Sequence, residues 1–188
     1  FLFHDGKILF LFSTLTNKEK IEEIIVNNLF DFKEISFQKL AFETIYVYEI
    51  EKSKLLRELE SKNIEDIGYL THGKRGDIFV GKVDKSKLIK THFPSKKNIV
   101  KVAIKVKRRE SKAIGRIENE VKWLKLLNKN GIGPRLMFSS ENYFVYRFVE
   151  GEFILDWIKK SGSEKKEISN VLVDLLKQCK KMDDLSVN

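Results

Sequence analysis

A chain of 188 residues with 42% hydrophobic and 11% aromatic residues can bury a real core, which excludes a disordered polypeptide and leaves room for one large domain or two small ones. The balance of 36 basic to 27 acidic residues, a net charge of +9, points to an anionic partner without choosing among nucleotide, nucleic acid and membrane surface. A single cysteine, Cys179, excludes an internal disulfide framework, and no apolar run approaches the roughly 18 to 20 residues of a membrane span, so a soluble, cytoplasmic protein is expected.

Residues 1–66 are expected to form a small α/β accessory domain. Asp5-Gly6 turns the chain into a strand over residues 8–12. Thr16 followed by Glu19 has the form of a capping box, and Ile21, Ile24, Ile25 and Leu29 come at helical spacing, so a helix is expected over residues 17–29. Residues 37–40 and 42–50 read as two further strands. Ser53 is placed to cap a short helix carrying Leu55, Leu56 and Leu59. No catalytic residue types cluster in this stretch.

From residue 67 the pattern changes. Two strands flank a glycine-bearing turn across residues 70–83, a basic segment follows over residues 84–97, and an apolar strand over residues 99–107. A helix over residues 111–128 is stopped by Asn130-Gly131, a left-handed cap, and by Pro134. Short strands over residues 135–138 and 143–149 flank the turn Ser139-Ser140-Glu141-Asn142. Gly151 then opens a connector into helices over residues 155–160 and 163–182.

The apolar strand carries the first anomaly, Lys105 within Val102-Ala103-Ile104-Lys105-Val106. Period-two alternation puts Val102, Ile104 and Val106 on one face and Lys101, Ala103, Lys105 and Lys107 on the other, which alone describes a solvated face. The following helix carries the second. In "IGRIENEVKWLKLL", at about 100° per residue, Glu120 lies inside the apolar arc of Ile117, Val121, Trp123, Leu124 and Leu127, while Glu118 points away from it. An unpaired charge taken out of water costs several kcal/mol, and an ion pair between Lys105 and Glu120 removes both anomalies. Ala103, on the face of Lys105, leaves space for a flat ring.

A third feature is "LTHGKRGDIFVGKV", residues 70–83, in which Gly73 and Gly76 would let backbone N–H groups approach phosphates. Residues 76–82 also satisfy G-x-x-x-x-G-K, but Val83 stands where that motif needs a magnesium-binding Ser or Thr, and Ile78-Phe79-Val80 is strand material; this reading is rejected. In "YFVYRFVEGE", Tyr146 precedes Arg147-Phe148-Val149, a short stretch whose backbone could meet an adenine edge.

Taken in order, Gly73-x-x-Gly76, Val102-Ala103-Ile104-Lys105, Glu120, Gly131-Ile132-Gly133-Pro134 and residues 144–151 resemble the amino-terminal lobe of a protein kinase. "VKRRESKAIGRIENEVKWLKLLNKNGIGPRL" is especially similar to the RIO-type kinases and the archaeal predicted serine/threonine kinases related to them. The resemblance covers residues 67–188. It implies an α+β fold: a kinase-like N-lobe, an antiparallel sheet plus one helix, over residues 67–149, and the first helices of a C-lobe over residues 150–188, preceded by the accessory domain. It implies ATP as ligand and phosphoryl transfer to a protein hydroxyl. Lys105 would reach the α and β phosphates and Glu120 would hold it, as the catalytic pair. Gly73, Lys74, Arg75, Gly76 and Ile78 would cover the phosphates, and Ala103, Tyr146 and Phe148 would surround the adenine.

The pattern departs from the family where it ends. "KKMDDLSVN" resembles the approach to the catalytic loop, so the catalytic base and the Mg2+ ligands are expected beyond Asn188, and the 188 residues alone are expected to be inactive. Two other readings stand beside the kinase: a non-catalytic nucleotide-binding scaffold, and a basic module that binds RNA or ribonucleoprotein through residues 85–101, where Lys87, Lys90, Lys96 and Lys97 lie.

Overall fold

The computed structural model describes residues 2–73, 76–84, 99–107, 116–160 and 165–186. The fold is mixed α+β with antiparallel strand pairing, and the chain divides into two compact units, Phe1–Val102 and Ala103–Asn188.

The first unit opens with strand β1 (Lys7–Ser13), a 3-10 turn (Thr14–Thr16) and helix α1 (Lys18–Asn27), then strands β2 (Phe30–Lys39) and β3 (Thr44–Lys52). These strands make an antiparallel sheet in the order β1-β3-β2. Alternation along β3 sends Tyr48 and Ile50 to one face, where they are buried with Phe12 of β1 and Ile25 of α1. The Phe32 ring stacks on Tyr48 at 5.0 Å, and Phe12 meets Tyr48 edge-on at 4.8 Å.

Two local expectations are corrected here. Asn17, not Thr16, caps α1: Thr16 is spent in the 3-10 turn, and Asn17 adopts a left-handed φ of 61° that Asn tolerates while its side chain accepts from Lys20 N. Strand β2 starts at Phe30 rather than residue 37, because Phe30 and Phe32 share the core face of the sheet, and Phe42 falls outside β3, 96% exposed.

Helix α2 (Lys54–Ser61) is capped as expected, with Ser53 Oγ accepting from Leu56 N at 3.1 Å. It packs on strand β4 (Ile64–Gly73), which forms a hairpin with β5 (Gly76–Asp84); residues 66 and 67, where the sequence suggests a domain boundary, lie inside β4. Leu59, Ile64 and Val83 are wholly buried. Gly81 is required by a close approach, since a Cβ there would stand 2.7 Å from Ile64 Cγ2.

Strand β6 (Ile99–Val106) contains the division between units. The second unit continues with helix α3 (Arg116–Lys129), strands β7 (Leu136–Ser139) and β8 (Tyr143–Arg147), and helices α4 (Ile154–Lys160) and α5 (Lys165–Asp184). Ile117 and Val121 of α3 are buried with Phe144 of β8, and Leu124, Leu136 and Tyr146 close around them.

Gly131 and Gly133, both at positive φ, end α3 and start the loop to β7. Asn128 then ties that loop to the helix. Its Nδ2 donates to Ile132 O and Pro134 O at 3.1 and 2.9 Å, and its Oδ1 accepts from Leu136 N at 2.7 Å. Among the described residues no helix is long and apolar enough to cross a membrane.

Candidate functional site

The centre of β6 is buried on both faces: Val102 and Ile104 are 0% exposed and Ala103 is 2% exposed. The solvated face that alternation suggests is therefore absent at Ala103, and Lys105 leaves a covered stretch of strand. Its side chain is 18% exposed and that of Glu120 is 24% exposed, and Lys105 Nζ donates to Glu120 Oε2 at 2.5 Å. The expected pairing is present.

Helix α3 sets the carboxylate in place. Ile117 and Val121 anchor one face of the helix, Glu120 lies at the edge of that face, and Glu118 is exposed. Glu120 uses only half its capacity. Its Oε1 is buried and has no hydrogen-bond partner among the described residues, a condition that costs about 1–3 kcal/mol. Tyr146 of β8 faces the same carboxylate: burial first, then the negative charge of Glu120, raises its phenol above the ordinary tyrosine value. Backbone bonds from Lys107 N to Asn142 O and from Arg147 N to Arg135 O, both 2.8 Å, hold the ends of these strands.

The structure thus brings Lys105, Glu120 and Tyr146 together. Ala103 is buried in the same strand, and Phe148, just beyond β8, is half-buried. Gly73, Gly76 and Ile78 belong to the hairpin of the first unit, where Gly73 pairs with Gly76 and Thr71 with Ile78. Lys74 and Arg75 lie outside the described residues, as do Lys87, Lys90, Lys96 and Lys97 of the basic segment. Sequence reasoning missed Asn128. Its signal was present in an Asn one turn before Gly131, but spacing does not say that a side chain will turn back to bond three backbone groups.

Chemically, an ammonium held by one carboxylate oxygen keeps two further N–H donors for an anion. The carboxylate fixes the direction of that ammonium. For a metal the donors are wanting: among the described residues no group of three or more His, Cys, Asp or Glu could hold an ion. Compared with protein-family models, curated proteins and solved structures, the chain gives no match in any of the three.

Proposed function

We propose that this chain carries the ATP-binding lobe of an atypical serine/threonine protein kinase, of the RIO-type and related archaeal group. The observation that supports the reading is the half-buried Lys105–Glu120 pair, set on a strand and on the helix that follows it. A lysine so placed suits the neutralisation of nucleotide phosphates, and its carboxylate partner suits its orientation. Tyr146, which leads into residues 147–149, adds an apolar wall next to the pair. The role proposed for these residues is to bind and orient the nucleotide.

Calorimetric titration of the 188-residue chain with ATP tests this reading. Weak saturable binding is expected, with little change between magnesium and a chelator. Lys105→Ala is expected to weaken it by at least about tenfold, about 1.4 kcal/mol, and Glu120→Gln by less, since Gln keeps an acceptor but not the charge. Equal affinity in the Lys105→Ala variant would remove the lysine from any nucleotide site and the proposal with it.

A further inference from the structure

The face of α3 opposite Glu120 bears a row of cations along two adjoining hollows. The first, about 590 Å3, runs past Lys122, Trp123, Lys125, Leu126 and Lys129 to Ser139 and Ser140 at the turn between β7 and β8. The second, about 710 Å3, shares Lys125 and Lys129 and continues to Arg135 beside Ile132 and Leu136. Helical spacing explains the row, because positions 118, 122, 125 and 129 fall on one stripe.

Four cations along this groove face one carboxylate, Glu118. Lys122 stands 5.8 Å from the Trp123 ring centroid, and Lys125, Lys129 and Arg135 make no ion pair with any described residue. Like charges three and four residues apart weaken a helix by a few tenths of a kcal/mol per pair, so the row works against α3 unless an anion lies along it. Its floor is apolar: Val121 and Ile132 are buried, and Trp123, Leu126 and Leu136 are half-buried.

We infer that this groove docks an acidic segment of a partner protein, anchored by apolar side chains. Charge complementarity supplies the acidic part, and the trough beside Trp123 and Leu126 supplies the anchor, as central apolar anchors with polar rims do at protein interfaces. An RNA backbone would need the cations but not the trough. Stacked bases would need a succession of rings, whereas Trp123 is the one ring among the described lining residues. From Glu118 to Lys129 the helix is about 16 Å long, which an extended segment spans in about five residues. The groove is independent of Lys105 and of any nucleotide.

The test is fluorescence anisotropy of a labelled peptide of about eight residues, alternating Asp and Glu around a central Phe-Leu pair, titrated with the 188-residue chain near physiological salt. Saturable binding is expected. The triple variant Lys122→Glu, Lys125→Glu, Lys129→Glu changes only exposed positions, so its circular dichroism should be unaltered while its affinity falls at least about tenfold. Replacing Phe-Leu by Ser-Ser in the peptide should cost a similar factor. The inference is overturned if the wild-type chain shows no saturable binding, if the triple variant binds equally well, if the anchor is indifferent, or if an oligouridine of equal charge displaces the peptide at equal concentration.

Discussion

At the scale of single residues, Lys105 and Glu120 hold each other in a setting neither charge would tolerate alone. With about a fifth of each side chain exposed, removing one partner should cost less than the roughly 3–5 kcal/mol of a fully buried pair. Lys105→Met is therefore expected to lower stability by about 1–3 kcal/mol in a urea titration. The double variant Lys105→Met, Glu120→Gln should recover at least half of that, because no unpaired charge remains. Simple additivity of the two single losses would show that the pair is not coupled. Tyr48 makes a second case at this scale. Burial, then its hydrogen bond to Glu22, raise its phenol to about 12, against the opposing pull of Lys18. An unfolded tyrosine ionises near pH 10, so the unfolded chain loses that proton first as pH rises. Tyr48 thus stabilises the fold fully below about pH 10, and its contribution disappears between about 10 and 12. Tyr48→Phe should flatten the decline of stability over that window; identical slopes in variant and wild type would refute the linkage.

At the scale of elements, what could be read in the sequence was what depends on spacing. Ser53 ahead of Leu56 reads as a cap because a serine oxygen three residues from an N–H reaches it in only one local geometry. Glu120 was legible for the same reason, since the 3.6-residue period places it against Ile117 and Val121. The start of β2 was not. Phe30 belongs to the sheet because it closes over Tyr48 and Ile50, a tertiary gain that overrides the local pattern. The cap at Asn17 was hidden by a neighbour of equal local merit, and the choice fell to the 3-10 turn that absorbs Thr16. The loop after α3 shows the cost of such hidden contacts. Asn128→Ala removes three hydrogen bonds between helix and loop, an expected loss of about 2–3 kcal/mol. Asn128→Asp keeps the acceptor for Leu136 N but faces two carbonyl oxygens with a carboxylate, so it should be at least as destabilising as Ala despite its matching shape. A milder effect of Asp, read from thermal melts, would show that the two donated bonds contribute little.

At the scale of the whole molecule, the dominant quantity is a net charge of +9. Most ion pairs of the described residues are exposed, such as Lys7–Glu49 at 2.8 Å and Lys20–Glu23 at 2.8 Å, and pairs of this kind contribute little to folding. Part of the positive excess lies in residues 85–101, which hold six lysines, Lys87, Lys90, Lys96 and Lys97 among them, and no acidic residue. If this segment tracks a single-stranded RNA backbone, affinity should come from counterion release, with log K falling by about 0.7 for each phosphate neutralised as log salt rises. Changing those four lysines to alanine should then reduce the magnitude of the slope by up to about 3. A variant lacking Lys159, Lys165, Lys166 and Lys180, exposed on α4 and α5, has the same net charge and should keep most of the slope. Affinity is expected to be modest and indifferent to sequence at low salt and nearly gone at physiological salt, while the ATP binding proposed at Lys105 and the peptide binding proposed along α3 should survive the four alanines. Equal slopes in the two charge-matched variants would assign RNA attraction to total charge alone. Tight binding at physiological salt with a marked sequence preference would instead require base contacts, which no run of lysines provides.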